Sequence, residues 1–178
     1  YLRNPSGQWR QLTKFEDGVK AVKFGRDDAL CLLTRKNAPR GKILRLPPAE
    51  TNLANAQVIV PETRGVVQEF TASATGLYVT MMDGGPTRLW FYPAGRRAPI
   101  EVPTLPVSSV GGLHCWQGDT VVFNNGSFLK PGGWYEWQPG WEQPRATALK
   151  TISPVNFDDI EVVRAFAKSK DGTQIPIS

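Results

Sequence analysis

Short apolar runs recur along this chain in groups of four, and the groups repeat at a nearly fixed interval. The first group is Gly18–Phe24, Ala29–Thr34, Lys42–Leu46 and Gln57–Val60. The second is Val66–Phe70, Gly76–Met82, Arg88–Tyr92 and Ile100–Val102. The third is Val110–Trp116, Thr120–Phe123, Gly133–Trp137 and Ala146–Leu149. First members start at 18, 66 and 110, steps of 48 and 44. Third members are anchored by Ile43, Leu89 and Trp134, steps of 46 and 45. Runs of this length, rich in Val, Leu, Phe, Tyr and Trp and bounded by Gly, Pro, Asp and Asn, read as β-strands.

Four short strands every 40–50 residues is the sequence signature of β-propeller blades. The predicted class is therefore all-β: a partial propeller of about three four-stranded antiparallel blades. A sandwich or barrel also has many short strands but usually lacks this repeat. The second run of each group is almost continuously apolar, as expected for a strand covered on both faces. A Gly/Pro turn separates second from third run in all three groups: Pro39-Arg40-Gly41, Gly84-Gly85-Pro86 and Pro131-Gly132-Gly133. Glycine is expected to supply positive φ there and proline the entry angle. Gly111 and Gly112 are expected to meet the crowding of an innermost strand. Seventeen glycines and fifteen prolines in 178 residues fit a chain of many turns. After the third group, Ile160–Ser178 leaves the period. Its β-branched residues and Asp171-Gly172 favour a hairpin.

Composition excludes several functions. One His and two Cys leave no room for most zinc sites or a disulfide framework. No cofactor and no metal is expected. No apolar stretch approaches eighteen residues, so no membrane partner is expected. The net charge is +5, with eleven Lys/Arg against four Asp/Glu in residues 1–45. No basic run exceeds two residues and no basic-aromatic stripe appears, so nucleic acid is not expected as a partner. Nothing in the residues selects a compartment. The chain opens at Tyr1 on a polar run without Met, and is read as a piece of a longer protein.

Several residues invite a chemical reading. His114 lies beside Cys115, but neighbours on a strand point to opposite faces, so a nucleophile-base pair is not expected. His114 reads as a channel-lining or satisfied core residue. Cys31 and Cys115 read as free buried thiols. Asp27-Asp28 and Asp158, Asp159 and Glu161 lack the spaced oxygens of a calcium loop and read as solvated turns. Trp134, Tyr135, Trp137 and Trp141 crowd one blade; packing between sheets is the simpler reading than sugar or peptide binding. Asp83-Gly84-Gly85 is too short for a phosphate loop and lacks the following Lys.

The stretch TISPVNFDDIEVVRAFAKSKDGTQIPIS, residues 151–178, resembles the join between propeller and hydrolase domain in the prolyl oligopeptidase family of serine peptidases. GSFLKPGGWYEW, residues 126–137, is similar to that family's final blade. APRGKILRL (38–46), VIVPE (58–62) and LYVTMMDGGPTRLW (77–90) are similar to its two preceding blades. The resemblance implies this layout: 1–14 the end of a preceding blade, with Trp9–Leu12 its outer strand; 15–63, 64–106 and 107–152 three blades; 153–178 a linker and the first hairpin of a hydrolase domain. It also implies an activity in the parent protein: cleavage of short peptides, commonly after proline, through a Ser-His-Asp triad. The propeller would keep folded proteins from the active site.

No G-x-S-x-G nucleophile elbow occurs in the chain, so no catalytic residue is carried over. The implied role is gating of peptide access by a segment that is itself non-catalytic. The implied partners are an oligopeptide substrate in the parent and the remainder of the parent chain, with self-association as the alternative for the segment alone. Three blades in a row leave two outer faces uncovered, so marginal stability is expected of the isolated segment. The last blade takes its four strands from one contiguous stretch, so a ring containing it would close by side-chain packing. The competing reading is a stand-alone propeller-type binding module.

Overall fold

The computed structural model describes residues 1–3, 6–95 and 98–177. It is all-β, with sixteen strands among the described residues and three short 3₁₀ turns. The chain divides into two compact units, Tyr1–Val66 and Val67–Ser178.

The first unit opens with a small hairpin, β1 (Leu2–Arg3) and β2 (Trp9–Arg10). A four-stranded antiparallel sheet follows: β3 (Val19–Phe24), β4 (Leu30–Thr34), β5 (Lys42–Leu46) and β6 (Gln57–Val60), in that spatial order. β3 alternates half-buried and exposed, as an edge strand with one wet face does. All five residues of β4 are buried, which is why its sequence is apolar without alternation. Leu30 and Leu32 lie opposite Leu46 and Leu44, and these four form a core patch. Leu2, Leu12, Val19, Leu53 and Ala56 pack onto it. Leu53 is placed by a 3₁₀ turn that Asn52 caps, accepting the Ala54 N–H at 3.0 Å.

The second unit holds two such sheets and a terminal hairpin. The middle sheet runs β7 (Val66–Ala72), β8 (Gly76–Met82), β9 (Thr87–Pro93) and β10 (Ile100–Val102). The last sheet runs β11 (Ser108–Gln117), β12 (Thr120–Ser127), β13 (Gly133–Trp137) and β14 (Arg145–Lys150). Their facing sides share one core: Tyr78, Leu89, Phe91 and Val102 against Val110, Leu113, Val121, Phe123 and Trp137. Tyr78 meets Trp137 edge-on, with ring centroids 6.1 Å apart at 89°, and sits 4.8 Å from Phe91. These are the offset and edge geometries that ring quadrupoles prefer. Each buried aromatic with a polar tip has a partner. The Tyr78 hydroxyl donates to Asp119 O at 2.6 Å, and Trp137 Nε1 donates to Trp141 O at 3.0 Å.

The terminal hairpin, β15 (Ala165–Lys168) with β16 (Gln174–Ile177), is largely exposed. Asp171 shapes its turn by accepting the Thr173 N–H at 3.0 Å. Among the described residues no helix is long and apolar enough to cross a membrane.

Two expectations about glycine need correction. Positive φ is present at Gly41 (92°), Gly84 (62°) and Gly85 (123°), but Gly132 and Gly133 do not have it. The third turn needs glycine for closeness instead. A Cβ on Gly126 would meet Gly132 Cα at 2.9 Å, and one on Gly132 would meet Asn124 Oδ1 at 3.1 Å. Crowding of the inner strand is absent at Gly111, where a Cβ would meet only Glu69 Oε2 at 3.9 Å, but present at Gly112. It sits at φ 65° inside a β-bulge between Gly111 and His114, and a Cβ there would lie 3.0 Å from Trp134 Cη2.

Candidate functional site

Side-chain hydrogen bonds between residues far apart in sequence join the middle sheet to the last sheet and to the terminal segment. The seam between the sheets is fastened at two points by carboxylates. Glu69 on β7 accepts the Gly112 N–H at 3.0 Å and the Leu113 N–H at 3.2 Å. The bulge on β11 turns both amides the same way, forming a small anion-binding concavity that Glu69 fills. Thr80 holds the Glu69 backbone from β8, its hydroxyl oxygen accepting the Glu69 N–H at 3.1 Å.

The second fastening is at the β11–β12 turn. Asp119 Oδ1 accepts from Ser73 Oγ and from the Thr75 N–H, both at 2.7 Å. Its Oδ2 accepts from Thr75 Oγ1 at 2.7 Å. Ala74 N–H donates to Gly118 O at 3.0 Å. The turn of one sheet is thus bound to the turn of its neighbour through both side chain and backbone. Short bonds to an ionised acceptor are the strong kind. Both carboxylates are therefore occupied as acceptors in structure rather than poised for acid-base work.

His114 is exposed and not a core residue; its ring lies 6.3 Å from that of Trp134, tilted by 30°. That corrects the core alternative, because the bulge ahead of it turns the side chain outward. Cys115 is half-buried and packs beside the shared core, on the opposite side of the strand from His114. The two do not form a nucleophile-base pair. Cys31 is buried and free, and burial pushes its thiol up to about 11, with Arg45 opposing and Asp27 adding to the rise. At neutral pH it is not a nucleophile.

Asp27 pairs with Arg45 at 2.6 Å, and Asp27 and Asp28 both adopt positive φ in a tight turn. Asp158 is held by Asn156 in an exposed turn, and Asp159 and Glu161 are exposed. No group of three His, Cys, Asp or Glu able to hold a metal occurs among the described residues. Of the aromatic cluster, Trp137 is buried, Tyr135 and Trp141 pack on the core, and Arg145 stacks 3.7 Å over Trp141. Packing, not ligand capture, accounts for these three. Trp134 lines a shallow cleft of about 340 Å³ with Asn124, Leu149 and Lys150. A cleft of about 490 Å³ on the first unit is lined by Leu12, Lys14, Asp17, Lys36, Leu44 and Leu53, among others. In the first-unit cleft the Thr34 hydroxyl donates to Asp17 O at 2.6 Å and Lys36 donates to Asp17 Oδ1 at 2.9 Å.

No motif or spacing in the sequence singles out Glu69, Asp119 or Arg164. Arg164 Nη2 donates to Asp83 O at 2.8 Å and to Gly84 O at 3.1 Å, so the terminal segment is bound to the β8–β9 turn. The spacing of these partners, 43 to 81 residues, leaves no local signal. The turn glycines were visible, but their role as a seat for an arginine was not.

Successive four-stranded antiparallel sheets, two of them packed face to face through a shared apolar core, define a segment of a β-propeller. The propeller profile described as "Prolyl oligopeptidase, N-terminal beta-propeller domain" matches residues 1–147. The chain belongs to the prolyl oligopeptidase family. Solved structures of similar fold include a chain from a study of two prolyl endopeptidases, at 22% identity and a TM-score of 0.74, covering 88% of this chain and 23% of that one. Oligopeptidase B from Trypanosoma brucei aligns at 19% identity and 0.71, covering 89% and 24%. Oligopeptidase B from Leishmania major aligns at 22% and 0.71, also covering 89% and 24%. At such identities the likeness concerns the fold. The chain spans about a quarter of the length of these solved chains.

Proposed function

We propose that this chain is the propeller segment of a serine peptidase that cleaves short peptides, and that its role is to gate their access to a separate hydrolase domain. The reading extends to layout: residues 1–14 end a preceding blade, 15–63, 64–106 and 107–152 are blades, and 153–178 lead into the hydrolase domain. The observation that carries it is the match of residues 1–147 to the family's propeller domain. The shared apolar core and the Glu69 and Asp119 hydrogen bonds across the seam between the middle and last sheets support it, because a size filter needs walls that do not part under load. The occupied carboxylates and the separated His114 and Cys115 support a non-catalytic role for the segment.

The test uses the full-length protein encoded by the native gene. It is labelled with a serine-directed fluorophosphonate and incubated with a proline-containing reporter peptide. The expected result is peptide cleavage, with the label on a serine outside Tyr1–Ser178. Label on a serine within Tyr1–Ser178 would overturn the non-catalytic role. Absence of both label and cleavage would overturn the peptidase assignment and favour the stand-alone binding module.

A further inference from the structure

Arg164 sits between β14 and β15, yet its guanidinium lies on the β8–β9 turn eighty residues earlier. That turn is built to receive it. Asp83 N–H donates to Pro86 O at 3.0 Å, which closes the loop and leaves the carbonyls of Asp83 and Gly84 facing outward. Gly84 adopts φ 62°, and a Cβ there would come within 2.5 Å of Arg164 Nη2 and 3.2 Å of Pro176 Cγ. Bare backbone at position 84 therefore seats both the guanidinium and the β16 proline. The same guanidinium lies 5.8 Å from the Phe166 ring on β15, within cation-π range. One side chain thus touches the turn and a strand of the hairpin. The rest of the segment has little hold: residues 156–161 are exposed, as is all of β15.

We propose that Arg164 and the Asp83–Gly84 turn form a releasable latch, fastening the segment that leaves the last sheet to the middle sheet. Two charge-assisted bonds to carbonyls favour the closed latch. Against them, Arg164 Nε is buried with no hydrogen-bond partner among the described residues. A buried N–H without an acceptor regains one when water returns, so this orphan favours release. The two contributions oppose, and release breaks only these contacts, leaving the strand pairing of both sheets intact. On the gating reading above, release would free the segment leading to the hydrolase domain to move relative to the middle blade, and would widen peptide access.

The experiment uses the full-length protein and reads two things: amide hydrogen exchange in β15 and β16, and relative kcat/KM across peptides of increasing length. Arg164→Met removes the guanidinium, and Gly84→Val removes its seat. Both are expected to raise β15–β16 exchange at least tenfold, with β8 and β9 amides changed less than twofold, and to raise relative cleavage of the longest peptides. Arg164→Lys, which keeps the charge but is shorter and lacks the planar guanidinium that lies near Phe166, is expected to fall between. It also decides the matter if β8–β9 protection is lost in Gly84→Val. Unchanged β15–β16 exchange in Arg164→Met and Arg164→Lys overturns the latch. Faster exchange with an unaltered length profile, or with no cleavage of any peptide, keeps the latch and overturns the gating reading.

Discussion

Replacing Asp119 by alanine tests the seam between the middle and last sheets at its most concentrated point. Three bonds of 2.7 Å converge on this carboxylate. Taken singly, hydrogen bonds to a charged group are each worth about 1.5–3 kcal/mol, but the losses here do not add. The Thr75 amide and hydroxyl are exposed and turn to water once the carboxylate is gone. The buried Ser73 hydroxyl has a second acceptor in Gly76 O at 3.3 Å. The Tyr78 hydroxyl bond is to the Asp119 backbone and survives. What remains is the difference between an ionised, prepositioned acceptor and makeshift ones, about 2 kcal/mol, equivalent to a roughly thirtyfold shift in an opening equilibrium. Asp119→Asn keeps the oxygen facing Ser73 and the Thr75 amide and is expected to cost about half as much. The assay is native-state hydrogen exchange in the full-length protein, read at amides of 76–79 and 120–123. Asp158→Ala, an exposed turn carboxylate, is the control and should stay within about 0.5 kcal/mol. An Asp119→Ala change of threefold or less, or one no larger than the control, would refute the view that the turn-to-turn contact holds the seam.

Three further outcomes are expected. Trp137→Ala empties the centre of the shared core and strands Trp141 O without its donor, so a loss of about 3–5 kcal/mol is expected in exchange of β9 and β12 amides; a loss under 1 kcal/mol would deny Trp137 its central place. Cys31, buried with its thiol raised to about 11, is expected to alkylate at pH 8 far more slowly than the half-buried Cys115; equal rates would contradict the packing of β4. Asp17 is held below its ordinary value of 3.8, first by the Lys14 N–H and then by Lys36. A lowered carboxylate contributes stability above its unfolded value and loses it as pH falls through the folded one. Asp17→Asn should therefore flatten the loss of β3–β4 protection below about pH 4.

Most of the fold was legible because burial imposes composition. A strand covered on both faces must be continuously apolar, and Leu30–Thr34 and Gly76–Met82 showed it. Gln57–Val60 and Ile100–Val102 were bounded correctly by their turn residues. β12 ran on past Phe123 to Ser127 because its polar residues are paired, not because they are apolar. Buried Asn125 accepts the Leu105 N–H at 2.8 Å and donates to Ser109 O at 3.0 Å. Such pairing is invisible until the partners are known. The seam and the latch were illegible for the same reason. Glu69, Asp119 and Arg164 look like ordinary surface residues in sequence, and only folding brings their partners to them from 43 residues or more away. At Gly112 the need for a small residue was legible but its positive φ and its Trp134 neighbour were not, since a glycine signals an unusual backbone without saying which neighbour demands it.

On the proposed function, this segment limits the size of what a joined hydrolase domain can cut. The most direct measurement is kcat/KM of the full-length protein on a ladder of peptides sharing one cleavage site and flanked by ever longer tails, ending with the same site in a folded domain. Gating by size requires efficient cleavage of short peptides, a steep fall with length, and no cleavage of the folded carrier. Equal efficiency along the ladder, folded carrier included, would contradict it.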